Sequence, residues 1–98
     1  MVEKQLGKIR SVSFGYNEYT FGLHLILGGA NWGVSTSIHY NPTYKELEDS
    51  TVTETMWRIQ ALLKDAGVDT VDKLKDKPIE VVFDGNFLKD FRILTEVI

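Results

Sequence analysis

The chain has 98 residues, of which 43% are hydrophobic and 26% charged, with a net charge of −3 and no cysteine. This predicts one domain over residues 1–98 with a small single core. It excludes disulfides, thiolate metal sites and a thiol nucleophile, and it argues against duplex nucleic acid as a partner, because phosphate contacts need a basic surface. No apolar run approaches membrane-spanning length and the first ten residues carry no apolar leader, so no membrane association and a cytoplasmic location are expected.

In chain order, residues 5–14 read as a strand whose apolar residues Ile9, Val12 and Phe14 break strict alternation, which predicts a bulge near Ser11. Residues 15–18 read as a turn. Residues 19–28 then alternate: Phe21, Leu23, Leu25 and Leu27 share one face, and Gly22, His24, Ile26 and Gly28 share the other. Gly29-Ala30 suits a type II′ hairpin turn. That turn predicts Leu27 opposite Trp32, Leu25 opposite Val34, Leu23 opposite Thr36 and Phe21 opposite Ile38. The second face then reads Gly22, His24, Ile26, Gly33, Ser35, Ser37 and His39. Such a shallow polar face is what the wet side of an antiparallel sheet looks like, and it also leaves room for a flat ligand or another backbone to approach.

Pro42 breaks the strand pattern. Thr43 with Glu46, and Thr51 with Glu54, fit the capping-box spacing. A helix is predicted over 52–66, with Val52, Met56, Ile59, Leu63 and Ala66 as its buried stripe and Gly67 as its stop. A short second helix follows Thr70, carries Val71 and Leu74, and ends before Pro78. The chain closes with two strands joined by a three-residue loop, Asp84-Gly85-Asn86, with Asn86 in the left-handed region. Ile79, Phe83, Phe87, Phe91 and Ile93 are expected on one face. The order is strands, helices, strands. The fold class is therefore α+β: an antiparallel sheet of about five strands, with one main and one short helix inserted between the third and fourth.

Catalytic signatures are weak. There is no phosphate-loop pattern and no nucleophile elbow, and no serine has a recognisable base beside it. His24 and His39 fall on one face but far apart along the predicted strands, without carboxylates at ligand spacing, so neither a metal nor any other cofactor is expected. Asp84-Gly85-Asn86 reads as turn chemistry. Trp57 falls roughly 140° from Val52 at 100° per residue, off the buried stripe, where it would meet another element, another subunit or a ligand. The arginines are Arg10, Arg58 and Arg92. Arginine suits fork-like phosphate contacts, and surface ion pairing is its ordinary alternative. A small core with Trp57 off its stripe points to a homo-oligomer.

Four stretches, "GKIRSVSFG" leading into "FGLHLILGGANWGV", then "LLKDAGVDTVDKL" and "KPIEVVFDGNFLKDFRILTEVI", together resemble small phage proteins. They are most similar to the first class of Thoeris anti-defence proteins, viral sponges for cyclic ADP-ribose isomers. The likeness covers most of the chain outside residues 41–50 and rests on overall pattern, not on a catalytic signature. It implies an inhibitor of bacterial immunity that binds a nucleotide signal without cleaving it, an oligomer with pockets between protomers, and action in the host cytoplasm. The chemically apt positions inside these stretches are Trp32, Trp57 and Phe83 for stacking, Arg58 and Arg92 for phosphate, and Asn86 for hydroxyl or base-edge contacts. Two other readings stand beside it. One is an anti-CRISPR-like inhibitor that covers a host protein through Trp57 and the acidic residues 46–49. The other is a phosphodiesterase acting on the same signal.

Overall fold

The computed structural model describes residues 2–42 and 49–97. It is an α+β fold built on one antiparallel sheet of five strands: β1 (Val2–Asn17), β2 (Thr20–Gly28), β3 (Gly33–Tyr40), β4 (Pro78–Asp84) and β5 (Phe87–Ile93). The spatial order is β3-β2-β1-β4-β5. The helix α1 (Asp49–Ala66) and a 3₁₀ turn (Val71–Leu74) lie between β3 and β4 in the chain.

The long central strand is the organising element. Its first half, Val2–Lys8, pairs with β4, and its second half, Lys8–Asn17, pairs with β2. The two halves meet at a bulge: Ile9 opposes Leu27 and Ser11 opposes Ile26, leaving Arg10 extra. This is the irregularity expected from the broken alternation of Ile9, Val12 and Phe14. A bulge bends the strand and increases its twist, which lets one strand serve two partners.

The alternation in β2 places its leucines as expected. The rows Ile9–Leu27–Val34, Val12–Leu25–Thr36 and Phe14–Leu23–Ile38 line one face, where Ile9, Leu23, Leu25, Leu27 and Ile38 are buried. On the β4 side the same face carries Ile79, Val81, Phe83 and Ile93. Thr55, Ile59, Leu62 and Ala66 of α1 close over it, with Leu74 from the 3₁₀ turn.

The details of the turns differ from expectation. The β2–β3 connection is not a two-residue type II′ turn at Gly29-Ala30. It is a four-residue loop, Gly29–Trp32, held by the Gly29 N–H donating to the Trp32 carbonyl at 3.0 Å. Leu27 therefore faces Val34, Leu25 faces Thr36, Leu23 faces Ile38 and Phe21 faces Tyr40. A slip of two residues preserves the facing of every side chain, which is why the predicted faces survive the wrong register. The β1–β2 turn is the pair Glu18-Tyr19, closed by Asn17 opposite Thr20, and not residues 15–18.

The β4–β5 turn has two residues, not three: Asp84 opposes Phe87, and Gly85, not Asn86, takes the positive φ (+63°). A second irregularity follows, since Val82 opposes Asp90 while Phe83 opposes Leu88, leaving Lys89 extra. The extra residue turns Leu88 toward the core and Phe87 outward, where it is 80% exposed.

The helix starts three residues before the predicted 52, so Thr51 lies inside the first turn and not at a cap. Thr43 and Glu46 lie outside the described residues. The buried stripe is Thr55, Ile59, Leu62 and Ala66, with Val52, Met56 and Leu63 at its flank. Thr55 is tolerated there because its hydroxyl donates back to the Thr51 carbonyl (2.9 Å). Gly67 ends the helix as predicted, at φ +70°, with its N–H on the Lys64 carbonyl and that of Val68 on the Leu63 carbonyl, both at 3.1 Å. These are the two bonds of a Schellman stop. No helix among the described residues is long and apolar enough to cross a membrane.

Candidate functional site

The helix covers only part of the core face. At the end of the sheet where the β2–β3 loop and the β4–β5 turn approach each other, a cleft of about 430 Å³ opens. The loop contributes Ala30, Asn31 and Trp32, and β3 contributes Val34. The hairpin contributes Phe83, Gly85 and Asn86, and β1 contributes Glu3 and Gln5.

The position of Trp32 follows from glycines beneath it. A Cβ on Gly7 would stand 2.6 Å from Trp32 Cζ2. One on Gly29 would stand 2.6 Å from Trp32 Cε2 and 2.8 Å from the Leu6 carbonyl oxygen. Neither atom could be accommodated, so the indole packs closely against bare backbone. Its edge meets Phe83 with ring centroids 5.3 Å apart and planes at 81°, the edge-to-face arrangement that aromatic quadrupoles favour. Glu3 opposes Phe83 and Gln5 opposes Val81, so both polar side chains occupy core-facing positions. They are accommodated because α1 does not extend over them. Glu3 is the one charged side chain in the lining among the described residues, and Gln5, Asn31 and Asn86 supply amide donors and acceptors.

Of the six positions singled out from the sequence, the cleft brings together Trp32, Phe83 and Asn86. It does not bring in the other three. Trp57 stands 66% exposed on α1, next to the exposed Arg58. Arg92 lies on the opposite face of the sheet, opposing Glu80 near the far end of the β4–β5 hairpin. Its guanidinium is engaged: Nε donates to Glu80 Oε1 (3.2 Å), and Nη1 and Nη2 donate to the two carboxylate oxygens of Glu96 (3.0 Å each). The bidentate bond holds the Glu96 carboxyl at about 2, well below the usual range, and raises Arg92 further above its own. Residues missed from the sequence are Glu3, Gln5, Asn31 and Val34. A signal existed for Glu3 and Gln5, since they are polar residues in phase with Ile9 on a strand whose other partners are apolar.

The Gly/Ser/His face is also resolved. Its rows are Ser11–Ile26–Ser35, Ser13–His24–Ser37 and Gly15–Gly22–His39. His39 stands opposite Gly22, one row from His24, closer than the predicted register placed it. His24 Nε2 donates to the Gly15 carbonyl (3.1 Å), and Ser37 Oγ bonds His39 Nδ1. Part of the bareness is internal: a Cβ on Gly22 would stand 2.7 Å from His39 Cα, and one on Gly28 would stand 3.0 Å from Arg10 Cγ. What remains is a polar depression of about 350 Å³ that includes Ser11, Ser13, His24, Ser35 and Ser37. Among the described residues no three His, Asp or Glu side chains are grouped to hold a metal ion.

No protein-family model, no curated protein and no solved structure matches the chain.

Proposed function

We propose that this protein sequesters a nucleotide-type signal without altering it, and that the cleft between the β2–β3 loop and the β4–β5 turn holds the base and ribose. The observation that carries the reading is the convergence of Trp32, Phe83 and Asn86, distant in the chain, on one opening. The Trp32 indole can stack on a base for about 1–3 kcal/mol by alanine substitution, with the buried Phe83 packed edge-to-face against it. Asn86, Asn31 and Gln5 can match base edges, and Glu3 can accept from ribose hydroxyls or an exocyclic amine. Among the described residues the lining contains no histidine, serine or lysine, and a lone carboxylate does not make the acid–base pair that phosphodiester or glycosidic cleavage uses. That favours holding over turnover.

Among the described residues the lining has no cation, so the phosphate end of the ligand would leave the cleft toward solvent. Acting on bacterial immunity in a host cytoplasm, as the resemblance implies, such a protein would work by lowering the free concentration of the signal.

A second reading is a protein-binding inhibitor, favoured by the exposure of Trp57 beside Arg58 on the outer side of α1. Exposed Trp and Arg are the residues that dominate protein interfaces.

One experiment separates these readings. The protein is incubated with a cyclic ADP-ribose isomer, freed of excess ligand and heat-denatured, and the released material is analysed by mass. Intact ligand in near-equimolar amount is the expected result, and Asn86→Ala should weaken uptake by about tenfold, the loss of one well-placed hydrogen bond. Altered ligand would identify an enzyme. No uptake would leave the protein-binding reading.

A further inference from the structure

An antiparallel sheet of this order leaves four lengths of strand edge without a neighbour in the sheet, and they are not equivalent. The β5 edge is interrupted by the extra Lys89 and carries Asp90 and Arg92. The β3 edge is partly covered, because α1 packs against β3 and brings the Thr55 hydroxyl within 3.4 Å of the His39 carbonyl oxygen. The edge of β1 over Val2–Leu6 carries Glu3 and Lys4 and is fronted by the Gly29–Trp32 loop. Charges, bulges and covering elements are the devices by which sheets discourage pairing with other chains.

The fourth edge meets them at its start, where the Asp76 N–H donates to the Ile9 carbonyl (2.7 Å), the 3₁₀ turn packs against β1 and the Arg10 bulge interrupts the strand, and its remainder carries no charge. β4 pairs with β1 only up to Lys8, so among the described residues Ser11–Asn17 has β2 on one side and no strand on the other. This stretch, Ser-Val-Ser-Phe-Gly-Tyr-Asn, contains no charge and no proline. The two-residue Glu18-Tyr19 turn makes Asn17–Thr20 a hydrogen-bonded pair, and pairs alternate along an antiparallel ladder. Ser11, Ser13, Gly15 and Asn17 therefore bond to β2, and Val12, Phe14 and Tyr16 direct their N–H and C=O groups outward. Above this edge lies an aromatic apron. Phe14 and Tyr16 both meet Phe21 edge-on at 5.3 and 4.9 Å, Phe21 contacts Tyr40 at 5.8 Å, and Phe14 and Tyr16 remain 45% and 76% exposed.

We infer that this edge is where two copies of the chain join, β1 against β1, antiparallel about a two-fold axis at Phe14. The segment is self-complementary in that register. Val12 lies opposite Tyr16 of the partner subunit and Phe14 opposite the partner's Phe14, so the outward donors and acceptors of each copy meet those of the other. Ser13 lies opposite the partner's Gly15 on the other face, and no charge is set against a like charge. The two aromatic aprons merge on one side of a continuous sheet. The pairing is isologous and closes on itself, leaving this edge with no free template. It does not depend on what the cleft binds.

Sedimentation velocity at low-micromolar to hundred-micromolar concentration tests the inference on the full chain. The wild type is expected to sediment as a dimer or a multiple of it, above the 11.2 kDa of one chain. Phe14→Lys and Tyr16→Lys should each weaken self-association by about tenfold or more, because the first sets like charges opposite each other at the two-fold axis and the second sets a charge in place of the aromatic opposite the partner's Val12. Phe87→Lys, at an equally exposed aromatic on the other hairpin, should leave it unchanged. If Phe14→Lys fails to fold by circular dichroism, Tyr16→Lys decides, since its side chain is already mostly in water. A monomeric wild type, or an oligomer lost with Phe87→Lys and kept with Tyr16→Lys, overturns the proposal.

Discussion

At the scale of single residues, the structure assigns different work to glycines that look alike in the sequence. A Cβ on Gly7 would collide with the Gly28 carbonyl oxygen and the Trp32 indole, and one on Gly29 with the indole and the Leu6 carbonyl oxygen, whereas Gly33 has only the Leu27 carbonyl at 3.7 Å from where a Cβ would stand. Gly7→Ala should cost about 1–3 kcal/mol, the usual penalty of overpacking. Gly33→Ala should be close to neutral. Chemical denaturation of the two variants checks the contrast, and equal losses would mean that the Gly28 carbonyl and the Trp32 indole are not packed against Gly7 as described.

Arg92 illustrates a role that exposure alone hides. Because its bidentate bond lowers the Glu96 carboxyl to about 2 from an ordinary 4.5, the unfolded chain takes up that proton first as pH falls. The contribution is therefore complete above about pH 4.5 and is lost as pH falls toward 2. Wild type should melt higher than Arg92→Ala near neutral pH, and the gap should close on acidification across that window. A gap that is constant with pH would show that the pair is not formed in solution. The spacing of Arg92 and Glu96, four residues apart, was visible in the sequence. The third partner, Glu80, required knowing the β4–β5 register.

At the scale of elements, the burial of α1 separates residues that lie close together on its sequence. Ile59 is buried against the sheet and Trp57 is 66% exposed. Ile59→Ala should destabilise by about 2–4 kcal/mol, while Trp57→Ala should stay within about 0.5 kcal/mol of wild type, both read from urea unfolding. Deleting Arg10 would join Ile9 directly to Ser11 with their β2 partners Leu27 and Ile26 unchanged, so every side chain keeps its face and only the bend of the bulge is lost. A dispersed, folded amide spectrum by NMR is expected for that deletion, and loss of dispersion would contradict the assignment of Arg10 as the extra residue.

How much of this was legible follows from the physics of each signal. The leucines of β2 declared their face because alternation has period two, and a two-residue error in the turn leaves facing intact. The bulge in β1 was legible because it interrupts an apolar pattern. The extra Lys89 was not, because Phe87 and Leu88 are both apolar and either could serve the core. The four-residue β2–β3 loop was hidden for a related reason: Gly29 is as natural at the start of a type II′ turn as it is beneath an indole. For the cleft, Trp32, Phe83 and Asn86 stood out by chemistry, but their meeting is a product of topology. The tie between Arg92 and two carboxylates was a matter of register that no local pattern reports.

At the scale of the whole molecule, the β1 strand joins two halves with different prospects. One half carries the cleft under the two hairpin ends. The other carries the uncharged edge and its aromatic apron. A ligand site and a self-association site can thus coexist without sharing a residue, and occupancy of the cleft should leave the sedimentation behaviour unchanged.

The two tryptophans make the central claim directly measurable. Trp32 lines the cleft and Trp57 stands away from it on α1. Each contributes one indole N–H signal to an amide-correlation spectrum, and Trp57→Phe assigns them. On titration with a cyclic ADP-ribose isomer, the account predicts that the Trp32 indole signal shifts and saturates while the Trp57 signal stays in place. A shift of Trp57 alone, or no shift of either signal at a large ligand excess, would contradict it.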